Sequence, residues 1–395
     1  MTKINLVSIT FYIFIILIVC FIGKKYTSYS ENKDNNEEYK LIQKYLLNDS
    51  PLYGYNKPKL WIHSKYEYNT RKWKSFQSRS STELNQPYIH LTIKSIILHC
   101  SNDFNICLID DDSFSKLIPS WTINMKLVPE PKKTHYRQLG ISKLLYFYGG
   151  IVVPNSFLCR KNLKPLYLEG IQYNTPFVCE NINRSCTSTA GTTSHFSAIN
   201  GTPEYIVGHT ALLTHANNDL QIQKSNPTLN SYTQRLLFLP FPSFMGSQKN
   251  DPVMLNIVEF LNIKVMNSHF SSEAIFLGEY SHYCLNLASQ KQIQIIDGDM
   301  IGVKTMKDRK PILLENLIEE EYLDIRNDAY GIYIPEEEIL MRNKYQWFAV
   351  MSGEEIMQKN MIISKYFIET VVTYKNNSEI NSNIIVSEDS DKKEY

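Results

Sequence analysis

His135-Tyr136-Arg137-Gln138-Leu139-Gly140-Ile141-Ser142-Lys143-Leu144-Leu145-Tyr146-Phe147-Tyr148-Gly149-Gly150-Ile151 is the stretch that decides the fold. Its first part has helical spacing from about Thr134 to Tyr148, with Leu144, Leu145 and Tyr148 on the apolar side. Gly149 falls where a helix end calls for a positive φ angle. Ile151-Val152-Val153 then reads as a short buried strand, and Pro154 ends it.

Working outward, the same alternation recurs. Lys59-Leu60-Trp61-Ile62-His63 reads as a buried strand. Pro87 opens a helix with Ile89, Ile93, Ile96, Ile97 and Cys100 on one face. Phe104 to Ile109 is a second strand and runs into Asp110-Asp111-Asp112. Strand–helix–strand order with short apolar strands predicts an α/β fold, a parallel-rich, Rossmann-like sheet with flanking helices. Such sheets bind ligands beyond the carboxyl ends of their strands. That rule singles out Asp110-Asp111-Asp112 and Pro154-Asn155-Ser156. Further along, Pro252 starts an apolar helix, Ile293 to Ile296 reads as a strand before the turn Asp297-Gly298-Asp299, and Thr187 to Thr202 reads as a loop.

The ends differ in character. Ile4 to Gly23 carries no charge and, at about 1.5 Å per residue, reaches roughly 30 Å, enough to span a bilayer. It exceeds a signal-peptide core and lacks a small-x-small cleavage site before Lys24, so it is expected to be an uncleaved anchor. Residues 25–57 are polar and read as a stem, with a short helix over Glu38 to Leu47. Residues 58–375 form the domain, and 376–395 a polar tail. Lys3 on one flank and Lys24-Lys25 on the other do not fix the orientation. Sequons at Asn48, Asn183, Asn200 and Asn376 allow a lumen-facing domain of the secretory pathway. The expected location is a single-pass membrane protein.

Composition excludes some classes. Lys and Arg total 41 against 40 Asp and Glu, a net charge of +1, which gives no field for nucleic acid. HExxH, GxSxG, Walker A and GxGxxG motifs are missing, so hydrolase and nucleotide-triphosphatase readings lack local support. The seven cysteines show no zinc spacing. Cys100/Cys107 and Cys179/Cys186 are compatible with disulfides or with buried free thiols.

The ordered set Pro58-Lys59-Leu60-Trp61-Ile62-His63, Leu108-Ile109-Asp110-Asp111-Asp112, Leu145-Tyr146-Phe147-Tyr148-Gly149-Gly150 and Leu163-Lys164-Pro165-Leu166 resembles the DxD-containing glycosyltransferases of the GT-A fold. The fungal initiating mannosyltransferases and bacterial capsular-polysaccharide transferases are the most similar in pattern. The likeness covers roughly residues 58–170 and implies a GT-A-like domain, here behind an N-terminal transmembrane helix. It also implies a nucleotide-sugar donor and a glycan acceptor. In that family a DxD shortly after the Gly pair holds Mn²⁺ or Mg²⁺ against the donor diphosphate, because a hard cation wants oxygen anions there. Here the positions read Pro154 and Ser156, and the family's helix Asp and Arg align with Gln138 and Ile141. No metal cofactor is therefore expected. The resemblance leaves Asp110, Asp111, Asp112, Arg137, Gly149, Gly150 and Asn155 as candidate substrate-binding residues and no assigned catalytic residue. Chains of this degenerate kind also resemble proteins encoded by large DNA viruses.

Each candidate has a plainer reading. Asp112 is placed to cap the helix starting at Ser113, and Asp297-Gly298 is a turn dipeptide. Arg137 and Lys143 are six residues apart, about 120° off a whole number of helical turns, so only one can face the site. Glu273, with His269 and His282, is a possible base, and Ser271 or Ser272 explains it equally well as part of a helix cap. Three readings remain open: transfer from a nucleotide sugar without the DxD metal, binding of a glycan, nucleotide sugar or partner by an inactive derivative, or a purely structural membrane-bound protein.

Overall fold

The computed structural model describes residues 57–64, 86–183, 237–267, 272–319 and 322–370. The apolar run 4–23, the stem, the loop 187–202, the tail and three of the four sequons lie outside them. Among the described residues no helix is long and apolar enough to cross a membrane.

The first half follows the predicted order. β1 (Lys59–His63) leads to α1 (Tyr88–Cys100), β2 (Asn105–Ile109), the short α2 (Ser113–Leu117), α3 (Lys132–Tyr148) and β3 (Gly150–Val152). Then come β4 (Phe157–Cys159), α4 (Lys164–Gly170), β5 (Phe177–Ile182), β6 (Phe238–Ser247), α5 (Pro252–Asn267), α6 (Glu273–Ser289) and β7 (Gln294–Ile296). A second, two-stranded sheet pairs β4 with β8 (Gly331–Tyr333). A last described helix covers 362–370.

The main sheet has six strands in the order β2-β1-β3-β6-β5-β7. β1 pairs in parallel with β2 and β3, and β5 with β7. Only β6 runs the other way, antiparallel to both its neighbours. This is an α/β fold with a mostly parallel sheet and flanking helices. The carboxyl ends of β2, β1, β3, β5 and β7 therefore share one edge of the sheet.

Alternation along the strands fills both faces. Trp61, Cys107, Ile109, Val152, Val178 and Met245 point into one core with Leu139, Leu144 and Leu145 of α3, Met254, Ile257 and Leu261 of α5, and Phe276, Tyr280 and Leu287 of α6. The intervening Leu60, Ile62 and Leu108 are equally buried. A hydroxyl pair, Ser142 Oγ and Tyr280 OH at 2.9 Å, links α3 to α6 inside this core.

The junction between α3 and β3 rests on its two glycines. Gly149 has φ 67° and Gly150 φ 100°. A Cβ on Gly150 would lie 2.1 Å from the Lys59 carbonyl oxygen, so only glycine lets β3 close onto β1. The Gly149 carbonyl accepts from Trp61 Nε1 at 3.0 Å, tying the turn to β1. The two glycines thus serve the backbone junction.

Candidate functional site

The carboxyl edge begins at β2. Its acidic triplet splits into three unlike residues. Asp110 Oδ1 accepts from Ser113 N at 2.9 Å and Ser113 Oγ at 2.6 Å, so it closes the turn into α2. Asp112 makes no cap bond. It pairs instead with Lys126 at 2.8 Å in an exposed contact. The cap expected of Asp112 is therefore supplied by Asp110, because the Asp112 backbone is already helical (φ −74°, ψ −24°) and its side chain goes to Lys126.

Asp111 is the one that points inward. Arg137 Nε and Nη2 donate to its two oxygens at 2.8 and 2.7 Å, a bidentate pair. His63 Nε2 lies 3.1 Å from the same Oδ1. Arg137 Nη1 donates to Glu130 Oε1 at 3.0 Å, while Glu130 Oε2 accepts from Thr134 N and Oγ1 at the start of α3. The Arg137 side chain is only 4% exposed, that of Asp111 22%. Burial pushes the Asp111 carboxyl up, but His63 and Arg137 outweigh it and hold it well below the usual carboxylate range. His63 is stacked on Phe114, centroids 5.5 Å apart and planes 6° apart. Gly140 leaves the space for that Phe114 ring, since a Cβ there would come within 2.8 Å of it.

Arg137 thus faces the edge, as one of the two cations was expected to. Lys143 instead lies over the Trp121 ring at 5.6 Å. After β3, Asn155 and Ser156 are buried, and the Asn155 carbonyl accepts from Thr92 Oγ1 of α1 at 2.5 Å. Gln138 reaches Ser243 Oγ of β6 at 3.4 Å. Three side-chain oxygens near the β1 and β3 ends of this edge are buried with no hydrogen-bond partner: Ser64 Oγ, Ser156 Oγ and Gln138 Oε1. Their positions after β1, after β3 and on α3 leave neutral hydrogen-bonding capacity but no charge.

At the far end, β7 runs into Asp297-Gly298-Asp299. Asp297 accepts from Asp299 N at 3.0 Å and caps the single turn Gly298–Ile301, the turn read from the sequence. Its carboxylate is bound by Arg309 and lies 3.2 Å from Lys304 Nζ. Lys304, whose side chain is 6% exposed, also binds Glu180 of β5 at 2.6 Å and sits over the Phe238 ring at 4.3 Å. Asp299 meets Arg309 at 3.4 Å and Arg326 at 3.5 Å. Burial raises the Asp297 pKa, while the Asp299 amide, Lys304 and Arg309 lower it further than burial raises it.

The Asp111 and Asp297 carboxylates are both paired with internal cations, whereas Asp299 Oδ1 is buried with no hydrogen-bond partner. No group of three or more His, Cys, Asp or Glu among the described residues is placed to hold a metal ion. Glu273 opens α6 directly after Ser272, whose Oγ accepts from Ile275 N at 3.3 Å. His282 Nδ1 hydrogen-bonds the Gly278 carbonyl of its own helix at 2.8 Å, and His269 lies outside the described residues. The Asn183 sequon is buried at its Asn, which disfavours glycosylation there.

His63, Glu130, Lys304 and Glu180 were not singled out from sequence. His63 had a usable signal, since it is the last residue of a strand whose carboxyl end faces the edge. Glu180 and Lys304 are 124 residues apart and had none. No family model matches the chain, and no curated protein or solved structure matches it either.

Proposed function

We propose that this chain is a glycosyltransferase-like protein of the degenerate DxD type it resembles, anchored through residues 4–23 with its domain facing the lumen. It binds a nucleotide sugar or a glycan at the carboxyl edge of the sheet and does not perform metal-assisted transfer. The observation that carries this reading is the commitment of Asp111. Its two oxygens already hold the Arg137 guanidinium and His63. A divalent cation would have to displace a buried bidentate pair.

The same pairing spends Arg137. With Asp111 and Glu130 both against it, the β2 end carries no surplus positive charge. Among the described residues, a donor diphosphate bound there without metal would meet no cation that is not already ion-paired.

The test is nucleotide diphosphate release from a panel of sugar donors, with and without Mn²⁺, beside calorimetry of donors and oligosaccharides. Binding without chelator-sensitive release is expected. Release abolished by chelator sinks the reading, and so does the absence of binding by every donor and glycan.

One observation favours metal-independent transfer as a second reading. Lys304, Arg309 and Arg326 gather at the end of β7, and the Arg309 and Arg326 side chains are 41% and 36% exposed, so a donor phosphate reaches them by displacing the Asp297, Asp299 and Asp328 carboxylates that pair them. Chelator-insensitive release that disappears in Arg309→Gln would establish it.

A further inference from the structure

Cys100 and Cys159 are the last residues of α1 and β4, and their sulfurs lie 4.0 Å apart. Both residues are fully buried. They stand at the end of one continuous seam. Thr92 Oγ1 binds the Asn155 carbonyl, Ser95 Oγ accepts from Cys159 N at 2.9 Å, and the sulfurs meet one turn further along α1. We propose that Cys100 and Cys159 are a disulfide-forming pair that fastens α1 to β4.

The geometry asks for little movement. A disulfide needs sulfurs about 2.0 Å apart, so the gap closes by roughly 1 Å on each side. Both residues end their elements, where the backbone has most freedom to adjust. In the reduced form the Cys159 thiol donates to the Lys161 carbonyl at 3.0 Å, a weak bond whose loss costs little. The pairing expected from equal spacing in sequence is different. Cys107 lies in the core with Trp61 and Ile109 and donates to Asn105 O, while Cys100 does not belong to that core. Cys107, Cys179 and Cys284 are buried free thiols, and Cys186 lies outside the described residues.

The oxidant is a low-molecular-weight disulfide such as oxidised glutathione. One thiol, deprotonated, attacks a sulfur of the oxidant and releases a first thiolate. The other then attacks the mixed disulfide at the protein sulfur and releases the second. Two protein thiols and one RSSR become one protein disulfide and two RSH, the two protons ending on the released thiols. Burial, with the Cys100 thiol beside it, pushes the Cys159 thiol up, so exchange occurs as the chain folds or opens, not in the closed core. The bond is independent of what the sheet edge binds.

The test uses the full chain, refolded with reduced and oxidised glutathione, alkylated, digested without reductant and mapped by mass spectrometry. A peptide joining Cys100 to Cys159 is expected. Recovery of both as alkylated thiols overturns the proposal, as does either one joined to Cys107, Cys179 or Cys186. Thermal melting gives a second measurement. Closing a loop across 59 positions should raise the Tm of the oxidised chain by roughly 5–10 °C over the reduced one. Cys100→Ala and Cys159→Ala should each abolish that difference. A difference that persists in both variants assigns it to other cysteines and overturns the pair.

Discussion

Asp110, Asp111 and Asp112 separate under substitution, because each does something different. Asp111→Asn takes from the buried Arg137 its bidentate carboxylate partner, and is expected to cost roughly 3 kcal/mol in denaturant unfolding. Asp110→Ala loses a turn-closing acceptor, worth about 1 kcal/mol. Asp112→Asn removes an exposed pair and should change stability by less than about 0.5 kcal/mol. Equal costs for the three would contradict the separation. The pH dependence follows from the depressed Asp111 carboxyl. Its stabilisation is fully present above the unfolded value of about 4 and is lost as pH falls from there toward the folded value. The acid limb of the stability profile should therefore be shallower in Asp111→Asn than in the parent chain. Sequence nominated both Asp111 and Arg137, but as separate candidates. They are 26 positions apart, and no spacing rule joins them. The join is made by the sheet, which sets the end of β2 beside the first turns of α3.

At the scale of elements, the junction of α3 and β3 is the most exacting. Gly150→Ala must place a methyl group 2.1 Å from the Lys59 carbonyl while holding φ near 100°. A loss of at least about 3 kcal/mol is expected, read as an early urea midpoint or as insoluble expression. A variant as stable as the parent would mean that β3 does not close on β1 as described. This junction was legible because helix end, glycine pair and strand start lie in one continuous stretch. The same holds for β1, β2, α1 and α5, whose apolar periodicity belongs to each alone. β6 was not legible. It contains Pro240 and Pro242, and proline argues against a central strand. The structure resolves the conflict by register. β3 pairs only with Met245 to Ser247 of β6, so the proline half borders β5 alone and behaves as an edge. A bulge between Val178 and Cys179 absorbs the irregularity on the β5 side. Such an arrangement depends on where a distant strand ends, which no local window contains.

At the scale of the whole molecule, the carboxyl edge is held at both ends by ion pairs, and among the described residues no group of three or more His, Cys, Asp or Glu is placed to hold a metal ion. Asp111 with Arg137 closes the β2 end, and Glu180 and Asp297 with Lys304 close the β7 end. Metal binding to a folded site stabilises the fold by mass action. A site with a Kd near 10 μM would add about 2.7 kcal/mol at about 1 mM Mn²⁺. In a domain of this size that is a Tm rise of several degrees. The expectation here is no shift with Mn²⁺ or Mg²⁺ and none with chelator, measured by scanning calorimetry at constant ionic strength. Asp111→Asn and Lys304→Met decide what a null result means. If either variant gains a Mn²⁺-dependent shift, the internal cations are what keep metal out of the parent chain. If the parent itself shifts, its carboxylates are open to metal, and the reading built on the commitment of Asp111 fails together with the loss of metal-assisted transfer.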